Sequence, residues 1–203
     1  SKVDDEKLRK VLDIFSKAAT EVCEGQQWDM DFETQNNVEI SKYMKMIEYK
    51  TAVLLAASLQ IGGITGGASI QEQEHLYEFG RNIGIAFQLK DDLLDAFGNP
   101  DTFGKQVGGD IMSNKKTYLY LKAIEAASDK QKNELEKYFS ISDTSTEKVN
   151  AVKKIFIDLK IQSFIIDLMK EYQMRAMMHL DAIRSSNKEP LIAFSEKLMD
   201  RIS

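Results

Sequence analysis

Cysteine is almost absent from this sequence. Cys23 stands alone, so no disulfide can close within the chain, and a reducing, cytoplasmic setting suits it. Proline is nearly as scarce. Pro100 and Pro190, with 11 glycines in 203 residues, leave long stretches unbroken. Punctuation this sparse, in a chain rich in Ala, Leu, Lys, Glu and Met, argues against a sandwich or barrel and for helices. There is no basic excess: 27 Lys and Arg stand against 32 Asp and Glu, a net charge of −5. That excludes the usual electrostatic footprint of a nucleic-acid binder. A long uninterrupted apolar run is missing too. The nearest approach, "TAVLLAASLQIGGITGGASI" at 51–70, is broken by glycines and polar residues and follows directly on Lys50. It makes a poor membrane span and a better buried helix with its exit loop.

What is present is a 43% hydrophobic composition, ample for a core, and apolar residues at helical spacing. The expected fold is all-α, with residues 1–203 forming a single helical domain. Helices are predicted at roughly 4–24, 38–61, 70–97, 115–127, 130–139, 146–183 and 189–202. Within 38–61 the apolar or small face reads Ile40, Tyr43, Met44, Ile47, Thr51, Leu54, Leu55 and Ser58. Thr144, Ser145 and Thr146 are N-cap candidates for the long helix that follows. Cys23 reads as a small buried hydrophobe. His75 and His179 read as isolated structural residues, and Met174, Met177 and Met178 as core or dimer packing. No repeat and no dividing linker stands out.

The stretch "FQLKDDLLDAFGNPDTFGKQVGGD" at 87–110 carries the chemistry. On a helix, Gln88, Asp91, Asp92 and Asp95 project into about one quadrant or slightly more, at about 100° per residue. Asp91 and Asp95 are an i,i+4 like-charge pair, which costs a few tenths of a kcal/mol without a counter-ion. A hard divalent cation reverses that sign, and Mg²⁺ suits it. It takes one or two carboxylates and leaves its other positions to water and substrate phosphates. Phe87, Leu89, Leu93 and Leu94 flank the acids, so the acids belong to a core helix lining a cavity rather than to open surface. The loop that follows holds Gly98, Gly104, Gly108 and Gly109, with Lys105 among them and Lys115 and Lys116 beyond. Glycines let backbone N–H groups approach an anion, and lysines neutralise phosphate oxygens.

Three blocks together carry a resemblance: "EGQQWDMDFE" at 24–33, "YMKMIEYKTAVLLAASLQIGG" at 43–63 and "FQLKDDLLDAFGNPDTFGKQVGGDIMSNKKTYL" at 87–119. The chain resembles the trans-type isoprenyl diphosphate synthases, or polyprenyl synthases, over nearly its whole length. The third block is the most specific, because FQxxDDxxD, GKxxGGD and NKKT occur in register. The resemblance implies a helical bundle of the isoprenoid synthase type. It implies Mg²⁺ as cofactor, held by Asp91, Asp92 and Asp95, with Asp91 as direct ligand. It implies allylic diphosphate and isopentenyl diphosphate as substrates. Lys50, Lys105 and Lys115 would contact the allylic diphosphate. Thr51 and Gln88 would lie beside the allylic cation, and Phe87 and Gln26 would line the pocket. A homodimer is implied as well. A noncatalytic partner subunit of an active synthase is the alternative; retention of Asp91, Lys50, Thr51 and Lys105 argues against it.

One family element is absent: a first DDxxD followed by paired arginines. "VDDEKLRK" at 3–10 lacks the third aspartate and the arginine pair, and lies too close to Gly25. The chain also begins with Ser rather than Met. The expectation is a C-terminal portion of a synthase lacking roughly the first third, with little prenyltransferase activity on its own and with apolar faces left uncovered.

Overall fold

A computed structural model describes residues 4–35, 37–99 and 107–200. Among the described residues there is no strand, as the composition implies. The helices are α1 (Asp5–Thr34), α2 (Ile40–Ile47), α3 (Val53–Gly66), α4 (Ile70–Phe97), α5 (Gly109–Met112), α6 (Tyr118–Ala126), α7 (Asp129–Ser140), α8 (Thr146–Asp158), α9 (Ile161–Ala182) and α10 (Glu189–Asp200). A π-helical turn, Glu48–Ala52, joins α2 to α3 without a break.

Local sequence sets the helix starts. The Asp4 side chain accepts from the Lys7 N–H at 2.9 Å, so the acidic pair near the N-terminus is a helix cap. Ser69 with Glu72, and Ser128 with Gln131, form reciprocal capping boxes for α4 and α7. Of the three candidates before α8, Ser145 is the N-cap. Gly67, at φ 80°, ends α3 in the left-handed conformation that glycine adopts without a Cβ penalty.

α4 is the central helix. It packs against α3 on one side and α9 on the other. Phe79, Ile83, Ala86 and Leu89 are fully buried along it; each large side chain stabilises by roughly 1.5–3 kcal/mol. The close fit to α3 depends on glycines. A Cβ on Gly80 would lie 2.8 Å from the Ala56 Cα, and one on Gly84 would lie 2.6 Å from the Ala52 Cα. α1 meets the rest of the molecule along a narrow line, burying Ala18, Gly25 and Phe32. A Cβ on Gly25 would lie 2.8 Å from the Lys50 Cα, so α1 crosses directly over the π-turn. An adjoining face of α1 leaves Leu8, Leu12 and Phe15 at 46%, 53% and 56% exposure.

Several sequence expectations are corrected. α1 continues past residue 24 to Thr34, because Gly25 serves a close approach rather than a stop. The π-turn inserts a residue, which advances every later side chain by about 100°. Leu54 and Ser58 are therefore exposed, and Ala52, Val53, Ala56 and Ala57 are buried instead. The helix expected at 146–183 divides at Lys160, which has φ 55°. The helix expected from 115 starts at Tyr118, with Thr117 as N-cap, so Lys115 sits in a loop. Cys23 is exposed. His75 and His179 are paired, Nδ1 to Nδ1 at 3.1 Å, across α4 and α9. Met174 and Met178 are 61% and 65% exposed, so neither is core. No described helix is long and apolar enough to cross a membrane.

Candidate active site

The π-turn, the second half of α4, the middle of α1 and the loop around α5 converge on one cavity of about 170 Å³. Lys50, Gln88, Asp91, Asp92 and Lys115 line it, together with Asp29, Tyr43 and Asp110. Three crossings put them there. Gly25 lets α1 descend onto the π-turn, which brings Asp29 to Lys50. Gly84 lets α4 approach Ala52, which brings Gln88 to Thr51. Gly108 at φ 87° turns the chain after α4 so that Asp110 folds back on Asp95. A π-turn places side chains at irregular angles and recurs at functional sites; here it carries Lys50 and Thr51.

The polar contacts fall into two sets, one around the π-turn and α4 and the other around α5 and the loop after it. Lys50 Nζ donates to Asp29 Oδ2 at 2.5 Å. Thr51 Oγ1 donates to Gln88 Oε1 at 3.1 Å, and Gln88 Nε2 donates to Asp92 Oδ1 at 3.3 Å. Tyr43 Oη donates to Asp92 Oδ2. The Gln88 amide is thereby held in one orientation. In the second set the Asp110 N–H donates to Asp95 Oδ2 at 2.9 Å, and Lys115 Nζ lies 3.4 Å from Asp110 Oδ1. Lys116 Nζ donates to the carbonyls of Phe32 and Glu33 at 2.9 and 3.3 Å, closing the last turn of α1.

Charge in this cavity is held under tension. Burial pushes Asp92 up to about 8, and Asp110 and Asp91 add to the rise, against the hydrogen bonds from Tyr43 and Gln88. Burial and then Asp110 push Asp95 up to about 6. Asp110 is raised as well, by burial first, although Lys115 pulls it down. Burial lowers the Lys115 ammonium, but Asp110 and Asp29 outweigh it and hold the pKa above the usual lysine value. Carboxylates that raise one another's pKa are a donor set with room for a cation.

The expected residues fall into distinct places. Lys50, Gln88, Asp91, Asp92 and Lys115 share the cavity, while Thr51 and Asp95 stand one hydrogen bond behind it. Asp92 is 3% exposed with both oxygens bonded to protein, so it orients Gln88 rather than offering a free oxygen. Phe87 is half-buried outside the lining, and Gln26 is exposed on α1 away from it. Lys105 lies outside the described residues. Asp29, Asp110 and Tyr43 were not singled out from sequence. Asp29 and Asp110 lie inside two recognised blocks, but nothing local reveals that they face Lys50 and Asp95.

The polyprenyl synthetase family model matches residues 2–157. The chain belongs to the polyprenyl synthetase family. The resemblance read from the three sequence blocks is borne out. A geranylgeranyl diphosphate synthase from Methanosarcina mazei is 37% identical over 194 residues, covering 95% of this chain and 58% of the relative. A crystal structure of a geranylgeranyl pyrophosphate synthase superposes with a TM-score of 0.89 at 43% identity, covering 99% of this chain and 63% of that one. A geranylgeranyl pyrophosphate synthase from Corynebacterium glutamicum, solved with isoprenyl diphosphate and magnesium, superposes at 0.88 and 28% identity, covering 98% and 57%. This polyprenyl synthetase chain thus spans about three-fifths of the length of these relatives.

Proposed function

We propose that this chain forms the metal–diphosphate side of a trans-prenyltransferase site, one that condenses an allylic diphosphate with isopentenyl diphosphate. The observation that carries it is that two lysines, Lys50 and Lys115, line the same cavity as Asp91 and Asp110. Opposite charges lining a single recess suit a ligand that is itself a cation bound to an anion. The magnesium and isoprenyl diphosphate of the Corynebacterium relative support the same pairing.

The donor set fits Mg²⁺. Its groups are carboxylate oxygens, the ligands that ion prefers. No three described His, Cys, Asp or Glu side chains form a ready metal cage. Mg²⁺ does not need one, since it binds through one or two carboxylates plus water and substrate phosphates. Asp91 and Asp110, which line the cavity, would hold the ion, with Asp95 one hydrogen bond behind. When bound, the metal would neutralise charge developing on the departing diphosphate.

The chain's own residues supply the rest. Lys50 and Lys115 present ammonium groups to diphosphate oxygens, preorganised for the charge that grows as the allylic bond ionises. Asp29 holds Lys50 until the ligand competes for it. The Gln88 oxygen, backed by the Thr51 hydroxyl, would offer partial negative charge to an allylic cation, and the Tyr43–Asp92 pair fixes the Gln88 amide. Attack by the second substrate's double bond forms the new C–C bond, and a proton leaves, with the departing diphosphate as acceptor. The buried faces of α3 and α4 exclude water that would quench the cation.

Residues 1–203 alone are proposed to have little turnover, because the sequence carries no first DDxxD with paired arginines to complement the second. A second copy is the proposed partner for the exposed face of α1. A cytoplasmic setting is proposed from the lone cysteine. The test measures incorporation of labelled isopentenyl diphosphate, and separately binding of inorganic pyrophosphate with Mg²⁺. Mg²⁺-dependent binding that Asp91→Ala abolishes supports the site. Binding that ignores both Mg²⁺ and Asp91 refutes it and leaves the partner-subunit reading. Robust turnover by the 203-residue chain refutes the proposal of low activity.

A further inference from the structure

Lys148 lies in the first turn of α8 and is 1% exposed. Burying an ammonium is costly, and an apolar side chain of similar length would avoid the cost. Its Nζ donates to Asn114 Oδ1 at 2.5 Å. The Phe139 ring lies 5.8 Å from the same nitrogen. Burial lowers its pKa below the usual lysine value, with Asp143 acting in the opposite direction.

The partner explains why the charge is there. Asn114 has φ 58°, a left-handed conformation that side chains other than glycine rarely adopt and that asparagine tolerates better than most. Three bonds hold it: Lys148 to its side-chain oxygen, its own Nδ2 to the Ile141 carbonyl at 3.0 Å, and its N–H to the Ile111 carbonyl at 3.2 Å. The next residue is Lys115, whose N–H donates to the Asp110 carbonyl at 2.9 Å and whose Nζ faces the Asp110 carboxylate. The neighbour of Lys148 on α8 grips the other end of the same loop: a Cβ on Gly108 would lie 2.6 Å from Val149 Cγ1. One helical turn therefore holds both ends of the loop that carries Asp110 and Lys115.

We infer that Lys148 is a positioning residue for the diphosphate site: its buried ammonium fixes Asn114 and so sets where Lys115 presents its charge. This deepens the function proposed above and rests on it. Lys148 does not line the cavity and acts only through its partner.

The experiment is calorimetric titration of the full chain with inorganic pyrophosphate in the presence of Mg²⁺. It compares wild type, Lys148→Met, Lys115→Met and the double variant, with helical content followed by circular dichroism. Lys148→Met should weaken binding about tenfold, the loss that goes with displacing one charged hydrogen bond. The double variant should bind no more weakly than Lys115→Met alone, because the two act in series. Asn114→Gly keeps the left-handed backbone and removes the side-chain contact, so it should reproduce the loss even if Lys148→Met folds poorly. Losses that add in the double variant, or wild-type affinity in both Lys148→Met and Asn114→Gly, overturn the inference while leaving the site intact. A wild-type chain that does not bind pyrophosphate with Mg²⁺ overturns the diphosphate site and this inference with it.

Discussion

Lys50 Nζ lies 2.5 Å from Asp29 Oδ2, an ion pair that ties the π-turn to α1 at the rim of the acidic cavity. Both side chains are part-exposed, at 31% and 21%, so solvent screens the pair and a ligand can displace it. Lys50→Ala should therefore reduce affinity for Mg²⁺-pyrophosphate by about 10- to 100-fold, the range for one charge-assisted hydrogen bond. Thermal stability should change little. Titration calorimetry with a parallel melting curve checks both; a large fall in melting temperature with unchanged affinity would mark the pair as structural.

Gly25 and Gly62 should respond oppositely to alanine. A Cβ on Gly25 would press on the Lys50 backbone, whereas one on Gly62 meets nothing within 4 Å. Gly25→Ala should destabilise by about 1–3 kcal/mol, as overpacking does, and should weaken pyrophosphate binding by lifting α1 off the π-turn. Gly62→Ala should be neutral or stabilise by up to about 1 kcal/mol through helix propensity. Urea denaturation measures both, and equal effects would mean that α1 does not cross where described.

Stability should fall as pH rises when no divalent cation is present. Burial raises Asp92 to about 8 and Asp95 to about 6, against about 4 for an ordinary aspartate. Between those values the folded chain binds more protons than the unfolded one, so raising the pH favours unfolding. In chelator, the melting temperature should be higher near about pH 5 than near about pH 8, and Mg²⁺ should restore stability mainly at the higher pH, where the carboxylates are free to bind it. A melting temperature that climbs across this window in chelator contradicts the assignment.

Self-association should depend on the open face of α1. Leu8, Leu12 and Phe15 follow one another at spacings of four and three, and all are exposed. Sedimentation velocity should show a concentration-dependent dimer, and Leu12→Glu with Phe15→Glu should return it to monomer without loss of helicity. A wild-type chain that stays monomeric at all concentrations removes this face as the contact.

The acidic patch followed from pattern. Gln88, Asp91, Asp92 and Asp95 share a helix face because 100° per residue is a local property, readable wherever a helix is certain. The cap at Ser145 was equally local. The face of α3 was not. A single π-turn rotated it, and no residue in Glu48–Ala52 announces an inserted position, since only the packing of Gly25 and Gly84 against that turn favours it. Lys160 likewise ends a helix without glycine or proline to signal it.

The sequence by itself determined that the chain is helical, that it carries one acidic and one lysine-bearing segment, and which family those segments resemble. Those are matters of local spacing and residue type. Only the tertiary structure decided that Asp92 turns inward to Tyr43 and Gln88, that Asp29 and Asp110 join the cavity, and that Lys148 stands behind Lys115. Contacts between residues 15 to 49 positions apart are fixed by how closely helices can approach. That distance is set by which side chains are missing at the crossings, not by any pattern within one helix.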